Sequence, residues 1–251
     1  MKQYIFVIKE LTSREIKRKY ARSYLGIIWS VLNPLLSMAV ISFVFSQMFA
    51  RNIENFPVYY LSGSILWSLF AGATNAAMTA LVDNKSLLIK TKLPMEIFPL
   101  TRAVTTLVNF GYSLIAYVII LFIFRIPFNW YMPFIFVYAA GLFVFSLGLG
   151  YLLSVLYVYF ADIQHLYSVL LSLWIFVTAI FYPVESTPLT VQNIIRENPV
   201  YNFVSATRKC ILDGCLPSTG EWVRMIVWAV IMYTVGKLVF KKTQNKILQK
   251  I

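Results

Sequence analysis

Six stretches of this chain run for about 20 residues or more with few or no charges inside them, and this decides the solvent in which the chain must fold. A hydrocarbon layer of roughly 30 Å takes about 20 apolar residues per helical crossing. The stretches cover residues 27–49, 58–82, 100–124, 133–160, 163–182 and 222–240. They are twice the length of a barrel strand and lack its alternation, so the backbone groups must be satisfied within helices. Composition agrees: 59% hydrophobic and 13% charged residues are too apolar for a water-soluble domain of 251 residues. The expectation is an all-α integral membrane protein with six transmembrane helices, forming a single transmembrane domain over residues 1–251.

The cations sort by loop. Lys2, Lys9, Arg14, Lys17, Arg18, Lys19 and Arg22 precede the first span. Lys85, Lys90, Lys92 and Arg102 surround the second loop, and Lys237, Lys241, Lys242, Lys246 and Lys250 form the tail. These are 16 of the 22 basic residues. The other side receives Arg51, Arg125, Arg196, Arg208, Lys209 and Arg224, balanced by Glu54, Glu185, Glu197, Asp213 and Glu221. Basic residues collect on the cytoplasmic side, so both termini are expected there. The net charge of +12 is then a topology signal rather than a sign of nucleic-acid binding. The first 22 residues are too polar for a cleaved signal peptide, so the first span is expected to stay in the mature protein.

Two cytoplasmic segments are amphipathic. Tyr4, Val7, Ile8 and Leu11 recur at helical spacing, with Lys2, Gln3, Lys9, Glu10, Ser13 and Arg14 on the other face. A basic amphipathic helix over the 1–22 segment suits the membrane interface, as a simple anchor in the lipid headgroups or as a docking surface for another subunit. The 83–94 loop opens on Asp83-Asn84 and closes on Pro94, which frames a short helix. Its Leu87, Leu88, Ile89 and Leu93 require a cover, either a partner or the chain's own helix ends.

Within the first span Ser30, Asn33 and Ser37 share a face near Pro34, which predicts a kinked helix lining an interface or a passage. Tyr167, Trp174 and Phe181 repeat every seven residues and fall on one face of the fifth span. Such a face suits stacking on sugar rings, and equally ordinary packing or an interfacial belt. Prolines at 183, 188, 199 and 217 divide residues 183–221 into pieces too short to cross. Two short helices, 191–197 and 202–212, broken at Asn198-Pro199, suit re-entry from the outer side and an outer gate.

Chemistry for catalysis is scarce. The single histidine, His165, lies beside Asp162, a pairing that fits a helix-end contact better than a catalytic dyad. No G-x-x-x-x-G-K-[ST] phosphate loop occurs, so any ATP that drives this chain binds to another polypeptide. The spans lack the ionisable residues of ion-coupled carriers and of intramembrane transferases. Cys210 and Cys215 share the external side, where they either form a disulfide or remain free.

The arrangement resembles the ABC-2 family of exporter permeases, and within it the branch exporting O-antigen, capsular polysaccharide and teichoic acids. The resemblance rests on Arg14 through Tyr20 followed by Ser23-x-Leu25-Gly26-x-x-Trp29 and Pro34, and on Lys92-Leu93-Pro94. It continues in Phe160-Ala161-Asp162-Ile163 and in Asn198-Pro199 leading to Arg208. Ala161 stands where an arginine is common, so a charge contact made there in relatives does not carry over as such.

The resemblance implies a homodimer with two copies of an ABC ATPase that holds ATP and Mg, in the bacterial cytoplasmic membrane. No cofactor is expected in this chain and no enzymatic activity of its own. The substrate would be an undecaprenyl-diphosphate-linked polysaccharide or a teichoic-acid-like polymer. By the same similarity Arg14, Arg18, Asn84, Lys85, Ser86, Leu87, Leu88 and Lys90 would receive the ATPase's motion. Ser30, Asn33, Ser37, Tyr167, Trp174 and Phe181 would line a channel, and Pro183, Asn198, Pro199 and Arg208 would close its outer end. An ABC-2 exporter of a drug or lipid is the alternative within transport, and a membrane-embedded glycosyl- or phosphotransferase is the alternative outside it.

Overall fold

The computed structural model describes residues 2–21, 23–49, 53, 55–91 and 93–250. Arg22, Arg51, Glu54 and Lys92, named above, lie outside the described residues, as do the side chains of Lys2 and Gln3. Among the described residues the chain forms ten α-helices and no strand. They are α1 (Lys2–Tyr20), α2 (Trp29–Phe49), α3 (Phe56–Asp83), α4 (Lys85–Lys90), α5 (Ile97–Ile123), α6 (Ile135–Tyr159), α7 (Ile163–Val177), α8 (Leu189–Glu197), α9 (Pro199–Arg208) and α10 (Thr219–Lys250).

Local sequence explains most boundaries. Gly26 takes a positive φ of 49°, open to glycine without a Cβ penalty, and a single 3-10 turn then leads into α2. Pro57 sits in the first turn of α3, where a missing N–H costs nothing. Pro199 starts α9 in the same way, with the Asn198 side chain accepting from the Val200 N–H. Lys209–Asp213 continue α9 as a π-turn, which Gly214 ends at φ 62°.

Five segments are long and apolar enough to cross a membrane: Gly26–Phe45, Phe56–Asp83, Ile97–Ile123, Met132–Tyr159 and Thr219–Ile247. These match five of the six expected spans. The fifth expected span, drawn to residue 182, is shorter: α7 ends at Val177 after 15 residues, a rise of about 22 Å. The reason is a left-handed cap. Thr178 turns its hydroxyl back to the Trp174 carbonyl at 2.8 Å, and Ala179 takes φ 49°. Within the 1–22 segment α1 runs as one helix from Lys2 to Tyr20.

α3 is the central post, buried along much of its length and packed against α2, α5, α6 and α9. α10 lies along α6 at a crossing without side chains, where a Cβ on Gly236 would collide with the Gly148 carbonyl. The start of α5 gathers both chain ends. Arg102 reaches Glu15 of α1 at 3.3 Å, and Glu96 lies 3.9 Å from Lys237 of α10. Phe240 and Ile247 of α10 join Leu88 and Phe98 in one buried cluster. At the opposite end, Phe45, Phe56, Tyr60 and Phe181 stack with ring centroids 5.9 to 6.5 Å apart.

Candidate functional site

The link from α7 to α9 is irregular backbone flanked by apolar helices, and its carbonyls need donors. Side chains supply them. Asn198 Nδ2 donates to the Val177 carbonyl and to Thr178 Oγ1, both at 3.1 Å. Its Oδ1 accepts from Trp174 Nε1 and from the Val200 N–H, both at 3.0 Å. Arg208 Nη1 donates to Ala179 O at 3.0 Å and to Tyr59 Oη at 2.8 Å, and Nη2 donates to Ile180 O at 3.1 Å. The guanidinium carbon lies 3.5 Å from the Tyr59 ring centroid, and Tyr59 donates onward to Tyr182 O at 2.8 Å. Tyr182 donates to Phe176 O at 2.6 Å.

Three of the four expected outer residues, Asn198, Pro199 and Arg208, thus meet in one hub, and Pro183 lies buried beside it. Gly63 of α3 leaves the space: a Cβ there would stand 2.7 Å from Arg208 Nη2. Tyr59 belongs to this hub as well and sequence reasoning missed it, because nothing local distinguishes it from the other tyrosines of a tyrosine-rich chain. Cys210, next along, is buried with its Sγ 3.2 Å from Tyr138 Oη, and burial pushes its thiol up. Cys215 is exposed, and both thiols are free.

The aromatic face of α7 turns inward. Tyr167 is buried and donates to Thr74 Oγ1 at 2.7 Å, Trp174 packs edge-on against Phe70, and Phe181 stacks on Tyr60. Within one chain these side chains are committed to packing and to the hub, and Leu166, Val169, Leu173 and Phe176 form the exposed face of α7. The polar face of α2 behaves differently. Ser30, Asn33 and Pro34 line a cavity of about 390 Å³ between α2, α3 and α5, shared with Lys19, Trp29 and Asn109. Tyr20 bonds to Ser30 and donates to Asn109 at 3.2 Å. Ser37 is exposed, outside the cavity lining.

At the other end of the bundle, α1 is pinned by charge. Arg14 donates to Asn84 Oδ1 at 3.1 Å and lies 3.3 Å from Glu15. Arg102 bridges Glu15 at 3.3 Å and Asp83 at 3.2 Å, and Asn84 Nδ2 donates to Ala80 O at 2.9 Å. Sequence reasoning marked Arg14 and Asn84 as coupling residues, named Asp83 and Arg102 only as a helix start and a loop cation, and passed over Glu15. Glu15, an acid set among Arg14, Lys17, Arg18 and Lys19, was the available signal. Leu88 is buried against Phe98 and α10, with Leu87 and Leu93 packed beside it, so the chain's own helix ends cover these three. Ile89 remains 66% exposed, flanked by exposed Lys85, Ser86 and Lys90, and Arg18 is exposed on α1. His165 sits exposed in the first turn of α7, where its N–H donates to the Asp162 carbonyl at 3.0 Å.

The sequence that folds this way has counterparts among known proteins. The chain is 28% identical to the O-antigen export system permease protein RfbA of Myxococcus xanthus over 99% of its own length and 96% of that protein. It is 26% identical to a protein of the same name from Klebsiella pneumoniae, over 97% of this chain and 94% of that one. Its identity to the polysialic acid transport protein KpsM of Escherichia coli is 20%, over 96% and 95%. The model of the ABC-2 type transporter family matches residues 7–212, most of the chain, and on that match the chain belongs to the ABC-2 type transporter family.

Proposed function

We propose that the chain is the permease subunit of an ATP-driven exporter that carries an undecaprenyl-diphosphate-linked polysaccharide, or a teichoic-acid-like polymer, across the bacterial cytoplasmic membrane. The observation that carries this reading is the end-to-end correspondence with permeases named for O-antigen export. Two copies would form the passage, and two copies of a separate ATPase would bind ATP and Mg.

Residues 1–251 would act as one transmembrane domain that crosses six times. The fifth crossing would consist of α7 plus the irregular link to Tyr182, a break supported by the side-chain donors on its carbonyls. Helices α8 and α9 would re-enter from outside and, with Pro183, Asn198, Pro199 and Arg208, act as the outer gate. Both termini would be cytoplasmic, in keeping with the distribution of cations. Exposed Ile89, flanked by Lys85, Ser86 and Lys90 on α4, and exposed Arg18 on α1 support an ATPase contact on these two helices. Arg14, Asn84, Leu87 and Leu88 would hold that contact in place. Ser30, Asn33 and Ser37 would line the passage, with Tyr167, Trp174 and Phe181 behind it.

Co-purification of the tagged chain from its own cells, with mass spectrometry of bound protein and lipid-linked glycan, tests the reading. A stoichiometric Walker-type ATPase together with a polyprenyl-linked polymer is expected. The chain recovered alone, with sugar-transfer activity, would overturn it. For the coupling surface, Lys85→Glu with Lys90→Glu is expected to abolish export while the ATPase still assembles, and unchanged export would remove that role.

A further inference from the structure

The outer hub borders a cavity of about 800 Å³, within the range of small-ligand sites. Its walls come from the start of α3, the α5–α6 link, the α7–α8 link and the face of α9 with its π-turn. The charges in it are mixed. Arg125, Arg208 and Lys209 face the cavity together with Glu185 and Asp213, and Tyr59 and Tyr201 supply aromatic surface.

Two of these groups are already engaged. Arg208 is held by the link carbonyls, and Lys209 pairs with Glu221 at 2.6 Å. The side chains of Arg125, Glu185 and Asp213 make no ion pair or hydrogen bond among the described residues, although oppositely charged groups share the cavity. Arg125 also takes φ 52°, a left-handed conformation that costs a non-glycine residue about 1 kcal/mol and tends to persist at functional sites. Asn129, four residues on, donates to the Cys210 carbonyl at 2.9 Å and ties the loop that carries Arg125 to the π-turn.

We infer that this cavity is a saccharide subsite, which holds sugar units of the polymer at the outer end of each protomer. The inference rests on the exporter reading above and deepens it. Vicinal hydroxyls both donate and accept, so they match free carboxylates and a free guanidinium around one cavity, and a tyrosine face covers the apolar side of the ring. A phosphate or other compact anion fits worse, because Glu185 and Asp213 repel it. A lipid tail fits worse because five charged residues line the cavity.

The test is photo-crosslinking in cells that make and export the polymer. p-Benzoylphenylalanine is placed at Leu212 or Ser205, which line the cavity, and as a control at Phe136, an exposed residue of the apolar groove beside it. Irradiation is expected to attach polymer to the chain at Leu212 and Ser205 but not at Phe136, and only in cells able to start glycan synthesis. Arg125→Ala and Glu185→Ala are each expected to lower the yield about tenfold, the effect of losing one hydrogen bond to a charged group. Intact export without an adduct at either cavity position overturns the subsite and leaves the exporter reading standing. Full adduct yield in the Arg125→Ala, Glu185→Ala double variant also overturns it. Surface polymer that does not depend on this chain at all removes both readings.

Discussion

The two ends of the helical bundle are held together in opposite ways. At the α1–α4–α5 end, charges of both signs meet: Arg102 stands between Glu15 and Asp83, with Arg14 beside them. At the α7–α9 end ion pairs lie to the side, Lys209 with Glu221 and Arg224 with Glu197, and the joint itself is Arg208, held by two carbonyls and a tyrosine with no carboxylate bonded to it among the described residues. The pair with the 43%-exposed Asp83 contributes little and yields to salt or to a partner's charges, while the buried Glu15 holds Arg102 more firmly. Arg208 is only 7% exposed at the edge of its polar cavity, so removing its guanidinium leaves buried carbonyl acceptors unpaired. The first arrangement suits a joint that a partner subunit displaces, the second a pivot that keeps its partners while the helices around it move.

Arg208→Met tests the contrast hardest. It strips donors from Ala179 O and Ile180 O and removes the cation from Tyr59, a loss of about 3 kcal/mol. Thermal melting of the detergent-purified chain is expected to fall by several degrees. Arg208→Lys should recover only part of this, since an ammonium lacks the planar fork. A wild-type melting curve for the methionine variant would mean the hub is not a pivot.

Asn198→Ala is expected to cost about 2 kcal/mol, because it uncaps α9 and frees the Trp174 indole. A rise and shift in tryptophan emission should accompany the lower melting point, whereas a stable variant with native emission would separate Asn198 from the hub.

At the other end Glu15→Gln removes the 9%-exposed carboxylate facing Arg102, for about 1 kcal/mol. Limited proteolysis within α1 should speed up while the melting point of the bundle barely moves. Equal protection in both forms would show that charge does not hold α1 down.

Asp83→Asn, with its carboxylate 43% exposed, should change stability by less than about 0.5 kcal/mol. High salt should reproduce its small effect and leave the Arg208 hub untouched. A salt effect on the Arg208 end as large as on the Asp83 end would erase the distinction between them.

Much of this was legible in the chain itself. A run of 20 apolar residues needs no tertiary context to specify a crossing, and five of the six expected runs are long apolar helices with ends within a few residues of expectation, except that α10 continues well past residue 240. Asn198-Pro199 marked the break between two short helices because proline's fixed φ is local, yet the second helix starts at Pro199 rather than at 202, with Asn198 as its cap. The 163–182 run failed for the same reason in reverse: hydropathy does not register that Ala179 turns left-handed. That turn is held by Asn198 and Arg208, 19 and 29 residues beyond Ala179, which satisfy the carbonyls around it.

The same division runs through the candidate sites. Leu88 looked like an exposed contact because its cover, Phe98 and the last turns of α10, is distant in sequence. Tyr167 and Trp174 looked like a free aromatic face, yet their polar ends reach Thr74 and Asn198. Sequence alone determined the membrane as solvent, the helical class and the asymmetry of charge, since all three follow from composition and short-range periodicity. Only tertiary structure decided which polar groups are spent on the chain's own backbone and which stay free. A buried donor is assigned by the carbonyl that reaches it, and those carbonyls come from elsewhere in the chain.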